Sequence, residues 1–409
     1  MNAEAETDQL HIMLLPLMDI GHMLPTLDMA RVFAAHGVNI TIVTTPRNGP
    51  FFANTIQNSA KCTSQISIRI VKFPAKEAGL PEEIENIDQI TSQEVHRKFF
   101  NALSMLQEPL EQLLSECSPH ALVADMFFPW TTDLASKFRI PRLVFYGTGF
   151  FPMCALGSLM KYKPHKKVTS DTEPFTLPGL PDEIKLTRLK LPPHIRLEFE
   201  DDFIRLLRRA KDSAETSYGV IVNSFYELEP PYVDHYKKEK RAWHIGPVSL
   251  CNKDTKDKAR RGKKSSGDEH ECLKWLDLRK PNSVVYLCFG SVARFSDWQL
   301  NETAMGLEAS GQHFIWVTRQ EKEEDGSEHH LPEGFEERMG GKGLIIRGWA
   351  PQMDAIGRAV RQIMVGEEVE EMRRRARALG EMARRATEEG GSSYTNLNAL
   401  IEELRLYRA

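Results

Sequence analysis

The stretch that most limits the possible folds lies near the N-terminus. "LHIMLLPL" is a short apolar run ending in a loop. "HMLPTLDMARVFAAHG" follows with helical spacing, Pro25 in its opening turn and Gly37 as its stop, and "VNITIVTT" is a β-branched strand. Strand, helix and strand in this order form a β-α-β unit, which builds parallel sheets with helices packed over them.

The same alternation continues. "ISIRIVKF" reads as a strand, Ser92 to Cys117 as one long helix, "ALVAD" as a buried strand, "PWTTDLASKFR" as a helix and "RLVFYG" as a strand. "GVIVNSFYEL" and the region around "WHIGPV" complete a first α/β domain over 1–250. The segment 251–270, "CNKDTKDKARRGKKSSGDEH" from Cys251, has almost no apolar residue and cannot offset its own ordering by burial, so it reads as a charged linker. A second domain, 271–409, restarts with helix "ECLKWLDL", strand "SVVYLCFGS", helix "DWQLNETAMGLEAS" opened by a Ser296–Gln299 capping box, strand "HFIWVTR" and strand "GLIIRGWA". After Gln352 only helical periodicity remains. Three strands are few for an α/β layer.

Composition narrows the function. A chain of 409 residues with 41% apolar content suits two or three packed domains, and a net charge of −4 argues against a nucleic-acid partner, which would call for a basic surplus. The opening MNAEAETDQL lacks the basic and apolar regions of a secretory signal, and no apolar run reaches bilayer length. Six cysteines without C-x-x-C spacing fit reduced thiols, hence a cytoplasmic protein.

The first β-α turn, "LMDIGHMLP", lacks the G-x-G-x-x-G fingerprint, and the second strand ends in "TTPRN" with no acidic residue for a ribose, which argues against a dinucleotide site. P-loop, G-x-S-x-G and H-E-x-x-H patterns are also absent. Instead His22 stands just past the carboxyl end of the first strand, and Asp125 ends "ALVAD" at the same sheet edge. A carboxylate bonded to one imidazole nitrogen fixes the tautomer and lets the other nitrogen accept a proton. Blander readings stand beside this one: a loop histidine with a backbone partner, and an aspartate capping the next helix.

These pieces together resemble the plant UDP-dependent glycosyltransferases of secondary metabolism. The resemblance spans nearly the whole chain, through "GHMLPTLDMA", "LVADMFFPWTTDLA", "VVYLCFGS", the Trp-Ala-Pro-Gln opening of the nucleotide-sugar signature and the closing "EEGGSSYTNLNALIEEL". It implies a GT-B fold: two Rossmann-like α/β domains facing across a cleft, acceptor in the first and UDP-sugar in the second. The implied reaction inverts the anomeric centre without a metal or cofactor. A hexose, glucose by expectation, passes from a UDP-sugar donor to a hydroxyl of a small-molecule acceptor such as a flavonoid or terpenoid. His22 would deprotonate that hydroxyl and Asp125 would hold the imidazolium. Trp349 would stack on uracil, Ala350 meet the base edge through its backbone, Gln352 touch the ribose, Ser291 bind the diphosphate and Thr148 reach the sugar. Without the family match, Trp349 reads as a core aromatic closing a strand and Ser291 as a turn hydroxyl.

The resemblance breaks after Gln352. The family's signature continues through a His-Cys-Gly-Trp-Asn-Ser loop and an acidic residue paired with glutamine, whereas this chain passes directly to "MDAIGRAVRQIMVGEE". The second domain is therefore expected to be incomplete, lacking the helix N-terminus that cradles the diphosphate. Orientation supplies about 7–11 kcal/mol in well-aligned displacements. The alternatives to an active enzyme are a metabolite-binding or partner-binding protein derived from one, and a shortened gene model or splice product with no stable second domain.

Overall fold

The computed structural model describes residues 9–57, 63–252, 269–280, 283–290, 296–318, 331–347 and 367–407. The chain divides into two compact units, one formed by Met1–Cys251 with Ala378–Ala409 and the other by Asn252–Arg377.

The first unit is built on a seven-stranded parallel sheet. Its strands are β1 (His11–Leu15), β2 (Asn39–Thr44), β3 (Ile66–Ile70), β4 (Ala121–Asp125), β5 (Arg142–Tyr146), β6 (Gly219–Val222) and β7 (Ala242–His244). They lie in the order β3-β2-β1-β4-β5-β6-β7. Around them run α1 (Ile20–Ala34), α2 (Gly49–Gln57), α3 (Gln93–Ser104), α4 (Gln107–Cys117), α5 (Thr131–Lys137), α6 (Phe150–Tyr162), α7 (Asp202–Thr216) and α8 (Pro230–Lys237). The strands are apolar at nearly every position because both faces are covered. Ile12, Leu14, Ile40, Ile42 and Val123 meet α1 and α2 on one face. Met13, Leu15, Leu122 and Ala124 meet α3, α4 and α5 on the other.

In the second unit, among the described residues, β8 (Val284–Cys288), β9 (His313–Thr318) and β10 (Gly343–Arg347) form a three-stranded parallel sheet. Helix α9 (Glu269–Asp277) packs Leu276 against Ile315 on one face, and α10 (Asp297–Ser310) packs Ala304 and Leu307 near Phe314 and Trp316 on the other. The Ser296–Gln299 capping box forms as the sequence suggests.

Three expectations need correction. The long helix over 92–117 is two helices, because α3 ends with Met105 as its cap and α4 starts at Gln107. Pro109 has no N–H to bond the Met105 carbonyl and its ring would strike that group, so an unbroken helix through this point is disfavoured. Helix α1 starts at Ile20, which moves Pro25 beyond the first turn, and the Thr26 hydroxyl donates to the carbonyl of His22 at 2.8 Å. Finally, the terminal helices do not all belong to the second domain. Helix α11 (Glu367–Thr387) crosses the division between the units, and α12 (Ser392–Leu406) joins the first. Leu397, Leu400, Ile401 and Leu404 of α12 enter the core that holds Ile221 and Trp243. Ser393 Oγ donates to the Gly246 carbonyl at 2.6 Å, and the Tyr218 hydroxyl donates to Glu403 at 2.6 Å. The Arg-rich part of α11 carries local ion pairs from Arg374 and Arg375 to Glu371, the solvated pattern its sequence suggests.

Candidate active site

Strands β1 and β4 are parallel neighbours, Leu15 lying opposite Ala124. From β1 the chain winds outward to β2 and β3, and from β4 in the opposite direction, so the order reverses between them. Open α/β sheets bind ligands outside the carboxyl ends of their strands at such a switch point. His22 and Asp125 stand there.

Asp19 caps α1, its carboxylate accepting from the Gly21 amide at 3.1 Å, and this places His22 in the first helical turn. Asp125 is the last residue of β4, and its Oδ1 accepts from the Phe127 amide at 3.1 Å. Oδ2 lies 2.6 Å from His22 Nδ1. The carboxylate is 4% exposed and the imidazole 36%, so the acid is sealed behind a reachable base. Neither blander reading describes the pair: α5 has Trp130, not Asp125, at its cap, and the partner of His22 is a carboxylate.

A carboxylate 2.6 Å from Nδ1 places the ring proton there and leaves Nε2 as the acceptor of a second one. Burial opposes charge on His22 and is the largest single influence. The hydrogen bond and charge of Asp125, with the charge of Asp19 behind them, outweigh it, and the pKa is raised above the ordinary 6.5.

Phe127 meets the His22 ring edge-on, with centroids 6.0 Å apart. Phe127 also stacks on Phe203 at 6.1 Å and lies 5.5 Å from Phe100, while His96 packs against Phe100 and Phe203. Burial lowers the pKa of His96, which disfavours charge in this aromatic wall beside His22.

Thr148 is exposed in the loop that leaves β5, the strand next to β4, and so shares the carboxyl edge with Asp125. The loop is held from behind. Glu229 accepts from the Phe150 and Phe151 amides at 2.8 and 2.7 Å and from the Ser224 hydroxyl, supplying the cap that Gly149 cannot. Ser291, Trp349, Ala350 and Gln352 lie outside the described residues. Among those described, no group of three or more His, Cys, Asp or Glu side chains could hold a metal ion, and no helix is long and apolar enough to cross a membrane.

Sequence reasoning passed over Asp19, Phe127 and Glu229. An aspartate just before a helix start is a readable cap signal, and so is Asp19. Glu229 caps a helix 79 residues away, and no local pattern announces that.

No protein-family model matches the chain. Among known proteins it is 48% identical to the scopoletin glucosyltransferase of Nicotiana tabacum over 472 positions, covering 98% of each chain. It is 46% identical to the UDP-glucose flavonoid 3-O-glucosyltransferase 7 of Fragaria ananassa, covering 97% of this chain and 96% of that one. The chain belongs to the plant UDP-glycosyltransferase family. A solved member, UGT73P12 of Glycyrrhiza uralensis complexed with glycyrrhetinic acid 3-O-monoglucuronide, superposes with a TM-score of 0.88 at 34% identity, covering 98% of this chain and 96% of that one. As in this glycosyltransferase family, the fold class is GT-B, with two Rossmann-like α/β units. The tobacco alignment has more positions than this glycosyltransferase has residues, so part of that relative has no counterpart here.

Proposed function

We propose that the protein is an inverting glucosyltransferase that moves glucose from UDP-glucose to a hydroxyl of a small, largely apolar plant metabolite. The hydrogen-bonded His22–Asp125 pair at the sheet's switch point carries this reading. His22 Nε2 takes the proton from the acceptor hydroxyl, and Asp125 holds the resulting imidazolium. The acceptor oxygen forms its bond to the anomeric carbon from the face opposite UDP, which leaves with the electron pair of the broken C–O bond. The aromatic wall of Phe100, Phe127 and Phe203 suits acceptors with flat or extended apolar bodies. The relatives' names, which specify scopoletin and flavonoid acceptors and a triterpenoid-type ligand, point the same way.

On the donor side, the family resemblance assigns Trp349 to uracil, Ala350 to the base edge, Gln352 to the ribose, Ser291 to the diphosphate and Thr148 to the sugar. The reading that the signature is cut after Gln352 rests on the sequence itself, which passes from Trp-Ala-Pro-Gln directly to "MDAIGRAVRQIMVGEE". The free thiols of Cys117 and Cys154 support a cytosolic site of action, which a fluorescent fusion in plant cells would test.

The deciding experiment incubates the protein with UDP-glucose and a panel of coumarin, flavonoid and triterpenoid acceptors, and follows mass. A gain of one hexose, lost in His22→Ala, supports transfer. Acceptor binding by thermal shift with no hexose gain across the panel would replace the enzyme with a metabolite-binding protein.

A further inference from the structure

Arg142 opens β5 and is only 2% exposed, yet among the described residues no carboxylate pairs with it. Its side chain lies between β4, α5 and α7 and meets neutral oxygens only. Nη1 donates to Thr132 Oγ1 at 3.1 Å, to Ser213 Oγ at 3.0 Å and to the Ser213 carbonyl at 3.4 Å. Nη2 donates to the backbone carbonyl of Asp125 at 3.3 Å, and Nε is buried without a partner. A buried cation without a counter-ion is costly, and an apolar side chain of similar volume would fill the same space more cheaply. What the guanidinium adds is a hold on the residue that orients His22, together with a fixed positive charge behind it.

We propose that Arg142 is a positioning residue for the His22–Asp125 pair, anchoring the Asp125 carbonyl from the sheet interior and opposing, through its charge, the protonation of His22. The inference rests on His22 being the base, as assigned above. The groups acting on this corner are Asp125 of β4, Asp19 before α1, Tyr146 of β5, and Glu215 of α7 acting on Tyr146. Burial brings the Arg142 pKa down to about 10, while Tyr146 and Asp125 act in the opposite direction, so the side chain stays charged across the working pH range. Attraction between Arg142 and Asp125 draws on the same carboxylate that stabilises the imidazolium. Removing the cation removes that competing attraction and leaves the Asp125 charge acting more fully on His22.

The test titrates His22 directly by NMR of 13C-labelled histidine in the full chain, its resonance identified by loss in His22→Gln. This measurement does not need turnover, so a chain that forms no product still reports on Arg142, and the two readings fail separately. Arg142→Met and Arg142→Gln, each checked for folding by circular dichroism, should raise the His22 midpoint by about half a pH unit or more. Arg142→Lys should stay near wild type. A folded neutral variant with a wild-type midpoint overturns the proposal. If neither neutral variant folds while Arg142→Lys does, the charge serves folding, and the positioning role is likewise overturned. Where product forms, the acid limb of kcat/KM should move in the same upward direction.

Discussion

Asp125 Oδ2 and His22 Nδ1 are 2.6 Å apart although their residues are separated by 103 positions in sequence. The pairing of β1 with β4 brings them together, because it puts the ends of both strands at one place on the sheet edge. Replacing His22 with Ala or Gln removes the proton acceptor without opening a buried cavity. Transfer should fall by about 10²–10⁴-fold, the usual worth of a positioned base, and the melting temperature should drop as well, because the buried Asp125 Oδ2 loses its partner. A product assay and a thermal melt on the same preparation check both halves.

The pair also makes a signed prediction about pH. The His22 pKa is raised, so the base is neutral only at higher pH and the acid limb of kcat/KM should lie above 6.5. Asp125→Asn removes both the hydrogen bond to a charged acceptor and the charge, leaving burial opposed only by the weaker pull of Asp19, and the limb should shift to lower pH as the rate drops. Stability follows the linkage rule for a raised histidine. The pair's contribution is fully present below pH 6.5 and is lost as pH rises through the folded-state value. The melting-temperature gap between wild type and Asp125→Asn should therefore shrink as pH is raised, and a gap that widens would contradict the assignment.

Glu229 supplies a second test, away from the reacting atoms. Glu229→Ala strands two amides at the start of α6 and should cost about 1–3 kcal/mol in denaturant unfolding. Gly149→Ala should cost a similar amount, because a Cβ there would stand 3.0 Å from the Glu229 carboxyl carbon and closer still to Oε1. The two changes compete for one space. The double variant should lose less than the sum of the singles, and strict additivity would show that Gly149 and Glu229 do not share this contact.

Helix α12 can be tested through its fully buried Leu400. Leu400→Ala should destabilise the first unit by about 2–5 kcal/mol, read by urea unfolding. Glu403→Gln, which weakens the bond from Tyr218 and the ion pair from Arg241, should cost less, since Arg241 is well exposed.

Much of this was legible in the sequence, for reasons that can be traced. The alternation around "LHIMLLPL" and "VNITIVTT" states a parallel sheet because only such a sheet buries both faces of its strands. His22 and Asp125 were visible because each follows an apolar run that must end at the ligand-binding edge. The helix break before Pro109 also follows from a residue in plain view, but the amphipathic spacing on either side hides it. The destination of α12 was not legible. Leu397, Leu400, Ile401 and Leu404 reveal that one face is buried, but periodicity carries no record of which core receives it. Arg142 escaped for the opposite reason. One charge at the start of "RLVFY" reads as a strand end, and only the packed structure turns it inward toward Asp125.

Because α12 completes the first unit's core, that unit is not continuous along the chain. A ribosome making this protein finishes β1 to β7 long before Leu397 to Leu404 emerge from its exit tunnel. In the interval Ile221 and Trp243 have no lid, and the nascent first unit must wait, shielded by chaperones or at risk of aggregation, until those residues emerge.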